Sequence, residues 1–359
     1  MASWAVVCTM KAPEEKVLAF AAHHLALGAD HLWLYFDDPD QPVPGPLTRH
    51  PRVTVSLCDA AHWIEVGKKR PPQHQNRQTQ NARLTYRARV ASDWIVHIDV
   101  DEFLLAPRPI ATILDEIPAE TVALKLEPFE AMHDPLLPED IYTSREFRGA
   151  LRHEHWPRRR AALGPYRKVI RDGMLSHSVG KMMYRTRVPG LLPRLHAVMV
   201  DGEFVRTPDW QPEVKLLHFH AQDKAAWLAA LPFRMTKGAY QFRPELQAFL
   251  AEAPPEEIDR FYRRTQILPL DLREELVAVG RVLSADLGRP GRLGALREGR
   301  LGTAPPPPPW GGEGGGGRAA PGPALVRVDQ HHRRAAEGGH DLRALAVGHA
   351  GLDHRAVHH

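Results

Sequence analysis

Cysteine is scarce in this chain of 359 residues, with only Cys8 and Cys58 present, so no disulfide framework stabilises it. Both lie in apolar, β-branched surroundings and read as small core residues of a reduced, cytosolic protein. Long hydrophobic runs are missing too. The most apolar window, "VLAFAAHHLALGADHLWLYF", is interrupted by His23, His24, Gly28, Asp30 and His31. A membrane span needs roughly 20 nearly uninterrupted apolar residues. No basic-then-apolar leader precedes the strand-like "SWAVVCTM". A strong excess of one charge is missing as well: the net charge of +4 and the pI of about 9.1 are mildly basic, which suits anionic ligands but does not by itself indicate nucleic acid. The tripeptides "KKR" (Lys68 to Arg70) and "RRR" (Arg158 to Arg160) read as solvated loops. These absences lead us to expect a soluble, cytoplasmic protein, with peripheral membrane contact left open.

What the chain does have is enough apolar residues, 43% of the total, to bury a core. Up to about Leu105 its pattern alternates between strand and helix. "WAVVCTM" suits a strand buried on both faces. "PEEKVLAFAAHHLALGA" suits a helix, with Pro13 and two glutamates at its start and Gly28 at its stop. "HLWLYF", "RVTVSL" and "DWIVHI" are further strands, and the polar "QHQNRQTQNARLTYRARVA" is a helix with a thin apolar face. Such units imply an α/β fold with a mostly parallel, doubly wound sheet. Later, "TVALKLEPF", "SVGKMMYRTRV" and "EVKLLHFHA" read as strands, and "DKAAWLAALPFRMTKGAY" and Pro255 to about Leu287 as helical.

The expected organisation is a folded domain over residues 1–290, split into a nucleotide-binding half (1–105) and an acceptor half (106–290). Residues 291–359 form a low-complexity tail. There "APPPPPWGGEGGGGRAAPGPA" resists compact folding, and seven of the 21 histidines fall in the last residues without regular spacing. A disordered tail or out-of-frame translation is favoured over a metal-binding segment.

The chemistry concentrates in "DWIVHIDVDEFLL", where Asp99, Asp101 and Glu102 interrupt an apolar run. Alternate side chains of a strand share a face, which predicts that Asp99 and Asp101 point together into the crevice at the carboxyl end of the sheet. Two converging carboxylates repel unless a cation joins them, and Mg2+ or Mn2+ suits such a place. Glu102 either joins them or only braces the turn. His218 and His220 also share a face, and project toward the same cation as candidate ligands beside Asp99 and Asp101.

"DWIVHIDVDEFLL" resembles the D-x-D-E-F segment of family-two glycosyltransferase-like proteins, which have the GT-A (Rossmann-like) fold. "VVCTMKAPEEKVLAFAAHHLALGADHLWLYFDDPDQ" is similar to the first strand, helix and second strand of that group. "SVGKMMYR", "LHAV" and "LLHFHAQDKAAWLAAL" resemble its Lys-containing strand, its single His (here His196) and its His-x-His segment. The resemblance covers most of residues 1–290 and departs from the pattern at "KAPE" and "DDPDQ".

It implies a metal-dependent transferase that moves a sugar from a nucleotide-sugar donor to a hydroxyl of a glycan or glycolipid, with inversion. In that setting the metal would bind at Asp101 first and Asp99 second. Thr9, Lys11, Asp37, Gln80, Asp99 and Lys181 would face the donor, with Gln80 on the polar helix beside Arg77 and Asn81. A carboxylate is needed to deprotonate the acceptor hydroxyl. Asp134 and Glu130 are its candidates ahead of Glu127. Two alternatives stay open: a catalytically degenerate nucleotide- or glycan-binding module, and, as a lesser one, a metal-dependent phosphoesterase.

Overall fold

The computed structural model describes residues 1–137 and 144–301; of the low-complexity tail expected at 291–359, residues 302–359 lie outside the described residues. Strands run in chain order as β1 (Trp4–Met10), β2 (His31–Phe36), β3 (Val53–Leu57), β4 (Trp94–His97), β5 (Glu102–Leu105), β6 (Ala123–Ala131) and β7 (Glu146–Gly149). They continue as β8 (Lys181–Arg185), β9 (Leu191–Pro193), β10 (Val198–Val200), β11 (Glu203–Phe204), β12 (Trp210–His218) and β13 (Val282–Ser284). Ten of them form one large central sheet flanked by helices, and β9 to β11 form a small separate one. The chain is thus an α/β protein, as its alternating pattern predicts.

The first half of the sheet is parallel, in the order β3-β2-β1-β4. All seven residues of β1 are buried, which is why "WAVVCTM" carries no polar alternation. The helix Glu14–Ala26 crosses from β1 to β2. Glu14 and Glu15 complement its positive end, and Gly28 takes φ +96° in the turn beyond it. Chain order leaves β1 toward β2 on one side and toward β4 on the other. The carboxyl ends of β1 and β4 therefore border the crevice at a switch in strand order, the usual ligand position of an open α/β sheet.

The second half is joined mostly by antiparallel pairs. β8 lies against β4 and β6, while β12 pairs in parallel with β6 and antiparallel with β5. Here β5 is a strand the sequence did not announce, because its partner stands more than a hundred residues away. Its register sets His218 of β12 opposite Glu102. The stretch expected to be helical up to Leu287 instead contains β13, which pairs with β7.

The described body also continues past residue 290. Helix Arg289–Arg297 places Leu296 in the same apolar core as Phe20 and Phe103, and Arg292 Nη1 lies 2.9 Å from His23 Nδ1. Cys8 and Cys58 are both free and buried. No helix among the described residues is long and apolar enough to cross a membrane.

Candidate metal centre

The acidic segment after β4 is a turn rather than a continued strand, closed by Glu102 N donating to Asp99 O at 3.0 Å. That corrects the expectation that Asp99 and Asp101 share a strand face. The turn sends them to different partners. Asp99 accepts from Lys181 Nζ at 2.9 Å and from the side-chain amide of Gln78. Asp101 instead faces His218, with Oδ2 3.5 Å from Nε2. Asp99, expected as a metal ligand, is thus already compensated by a protein cation.

Lys181, fully buried on β8, reaches both Asp99 and Glu102, with Glu102 Oε2 at 3.4 Å. Burial would lower its pKa, but the two carboxylates outweigh that and raise it, so the ammonium stays charged. Its expected place against a donor diphosphate is therefore corrected: its charge is spent inside the site. Burial would likewise raise the Asp99 carboxyl, and the Lys181 ammonium instead holds it well below the usual carboxylate range. Glu102 is fully buried, and desolvation with the nearby Asp99 charge pushes its carboxyl up.

Histidines complete the cluster. A backbone hydrogen bond from Phe219 N to Asp101 O, 2.8 Å, ties the segment His218–His220 to the acidic turn. The rings of His218 and His220 lie 5.3 Å apart. Asp101, His218 and His220 each offer a ligand atom, and these atoms all lie within 4.8 Å of one another. Burial disfavours a charged His218, yet Asp101 and Glu102 override it and push its pKa up to about 9. His220, desolvated and beside the Arg234 charge, is held well below the ordinary histidine range. Three of the four expected metal ligands therefore converge, and Asp99 is the one that does not.

One member of the cluster, His177, was not anticipated. Its Nε2 lies 3.1 Å from Glu102 Oε1, and its ring sits 4.5 Å from His196 and 5.2 Å from His218. It stands on a non-repetitive segment gripped by distant charges. Glu130 accepts from Leu175 N (3.0 Å) and Ser176 N (2.6 Å), while Arg243 donates to the carbonyls of Met174, Leu175 and Ser176. No spacing in the sequence betrays such a residue, although "HSVGK" sets it four positions before Lys181.

Glu130 is corrected by the same geometry. It is fully buried with both oxygens on backbone amides, so it anchors the His177 segment and is not free to act as a base. Glu127 is committed to Lys215 (3.0 Å) and Arg281 (2.7 Å). Asp134 accepts from Leu136 N at 2.9 Å and, among the described residues, shares no hydrogen bond or ion pair with the cluster.

Around the crevice, the remaining expected donor-facing residues separate. Thr9, at the end of β1, is buried and accepts from Asn81 Nδ2 at 2.9 Å. Asn81 stands on the helix His74–Arg87, whose buried face is Arg77, Gln78, Asn81, Ala82 and Thr85. Gln80 falls off that face, and Gln78 takes the place expected for it. Two residues along a helix is a rotation of about 200°, so the register decides which glutamine reaches Asp99. Asp37, beyond β2, is buried and bidentate to Arg77 at 2.6 Å and 2.6 Å, with Arg70 at 3.1 Å. Burial would raise its carboxyl, but hydrogen bonds from His74 and Arg77 hold it well below the usual range. Lys11 is exposed and pairs with Asp38 at 2.9 Å.

The donor set fits a divalent cation. It comprises one carboxylate and two imidazoles whose ligand atoms lie within 4.8 Å of one another. No family model and no curated protein matches the chain. Among solved structures, the crystal structure of S. aureus TarS 1–349 is similar over 83% of this chain and 88% of that one, at 10% sequence identity and a TM-score of 0.31. So slight a likeness carries no conclusion about fold or activity.

Proposed function

We propose that the protein is a metal-dependent glycosyltransferase that moves a sugar from a nucleotide-sugar to a hydroxyl of a glycan or glycolipid, with inversion. The observation that carries this reading is the convergence of Asp101, His218 and His220 at the crevice between the carboxyl ends of β1 and β4. The sequence resemblance of "DWIVHIDVDEFLL" and its flanking elements supports the same reading.

Asp101, His218 and His220 hold the cation, Mn2+ or Mg2+, whose contribution is a positive charge against the departing nucleoside diphosphate. Lys181 keeps Asp99 ionised and oriented, so the acidic turn is pre-shaped. The buried Arg77 at Asp37 orders the neighbouring edge of the crevice, where Thr9 and Gln78 also lie. Asp134 is the remaining candidate for deprotonating the acceptor hydroxyl, since Glu130 and Glu127 have their oxygens committed. The protein acts in the cytoplasm and takes no nucleic acid.

A second reading draws on Lys181. Its ammonium already neutralises Asp99, which suits a nucleotide- or glycan-binding module that has lost turnover. A thermal-shift screen of nucleoside diphosphates with and without Mn2+ tests both, because a ligand that binds only the folded state raises its apparent stability. The transferase reading expects one nucleotide to stabilise the protein only when Mn2+ is present, and the matching nucleotide-sugar to turn over. A shift without turnover on any glycan acceptor supports the module, and no shift with any nucleotide contradicts the transferase and leaves the module only its glycan-binding form.

A further inference from the structure

Away from the metal centre, one face of the sheet gathers positive charge. Lys125 and Glu127 alternate along β6 and so share a face, and the register sets Trp210 of β12 opposite Lys125 and Lys215 opposite Glu127. Glu127 is fully engaged, one oxygen on Lys215 and the other on Arg281. Lys125 and Arg152 are left over. Lys125 Nζ lies 4.4 Å from the centroid of the Trp210 ring, and the Arg152 guanidinium 5.4 Å from it. Among the described residues neither cation makes an ion pair.

All three side chains are half-buried. Burial, together with the Arg152 charge, lowers the pKa of Lys125, since no carboxylate answers either cation. An aromatic face offsets only part of that cost, and a bound anion would remove it.

The chain builds this position. β12 is irregular between Trp210 and Lys215, and Gln211 Oε1 accepts from Glu213 N and Val214 N, which pins the bulge that presents the indole. The ring packs on Gly180, where φ is +76° and a Cβ would come within 2.9 Å of Trp210. Gly180 directly precedes Lys181, and its carbonyl lies 2.8 Å from His196 Nδ1. Arg152 donates to Ser178 O at 3.1 Å, beside His177. The two cations thus border the segment that carries His177 and Lys181 of the metal centre.

We propose that Lys125 and Arg152, standing over Trp210, bind an anionic group of the acceptor: the carboxylate of an acidic sugar or the phosphate of a phosphorylated one. The acceptor role rests on the transferase reading, whereas the anion site does not.

The test is NMR of the full-length protein labelled with 15N at its tryptophan indoles, titrated in EDTA with glucuronate, glucose 6-phosphate and glucose. Trp210→Phe assigns the Trp210 signal among the eight. That signal is expected to move with glucuronate or glucose 6-phosphate and to stay in place with glucose, and added salt is expected to weaken the response. Lys125→Gln and Arg152→Gln are each expected to weaken it about tenfold, as the loss of one charged contact implies. Lys125→Gln removes a repelled charge and serves if Arg152→Gln, which also loses its bond to Ser178, does not fold.

Equal responses to glucose and to the two anions overturn the proposal. So does an anion response unchanged in Lys125→Gln, or none at all. A response to glucuronate alone assigns the site to acidic sugars, and one to glucose 6-phosphate alone to phosphorylated sugars. Nucleoside diphosphate binding in Mn2+ on the same protein separates the two readings. An anion response without nucleotide binding contradicts the transferase and the acceptor role drawn from it, while the anion site stands. Nucleotide binding without an anion response contradicts only this proposal.

Discussion

Two acidic positions stand at the carboxyl end of the parallel sheet, and they are built in opposite ways. Asp37, beyond β2, is closed: Arg77 takes both oxygens, Arg70 adds a third contact, and His74 lies 3.5 Å away. Asp101, beyond β4, is open: among the described residues its carboxylate makes one ion pair, with His218 at 3.5 Å. Composition does not separate them, since both are aspartates after an apolar strand. The surroundings do: a carboxylate saturated by arginines is a fixture of the fold, whereas one that meets a single imidazole has capacity left for a ligand.

The contrast makes the two positions respond differently to substitution. The largest effect is expected at the closed one. Arg77→Ala leaves Asp37 buried with its main partner gone, which costs about 3 kcal/mol or more of unfolding free energy, read by denaturant titration. Asp101→Ala is expected to do the reverse, raising the Mn2+ dissociation constant about a hundredfold by isothermal titration calorimetry while leaving the denaturation midpoint close to wild type. If both variants lose stability equally, the distinction between closed and open sites is wrong.

The histidines divide along the same line. His24 is buried against Phe20 and Phe103, and desolvation lowers its pKa to about 3, so it is neutral in the fold. Its unfolded form takes up a proton below about pH 6.5, so the stability it supports is present above that value and is lost as pH falls toward 3. The loss is about 1.4 kcal/mol per pH unit in that window. His24→Leu should flatten the acid limb of a stability–pH curve by one proton's share; an unchanged slope would count against a neutral His24. The smallest effect is expected at the exposed Lys11–Asp38 pair, where Lys11→Ala should leave the melting temperature unchanged by calorimetry.

How far the sequence reveals these features follows from how local they are. The parallel half is legible because β1, β2 and β4 are apolar runs set off by Pro13, Gly28 and acidic turns. The carboxylates after β4 are legible as a cluster, though not as a turn, and His218 and His220 because two positions separate them. Other features are hidden by distance. β5 is four residues whose pairing depends on β12, and His177 is placed by Glu130 and Arg243 from elsewhere in the chain. Gln78 and Gln80 were indistinguishable because the helix His74–Arg87 has too few apolar residues to set its phase, and it is packing that turns Gln78 inward. The splitting of Asp99 from Asp101 follows from a turn where an extended strand was expected.

The central claim is that the open cluster binds a cation through which a nucleoside diphosphate is held. Its most direct test is calorimetric titration of nucleoside diphosphates into wild-type protein and Asp101→Ala, each with Mn2+ and with EDTA. The account predicts binding by the wild type in Mn2+ alone, lost in EDTA and in Asp101→Ala. Nucleotide binding of equal affinity with and without the metal, or no binding to a folded wild type, would contradict it.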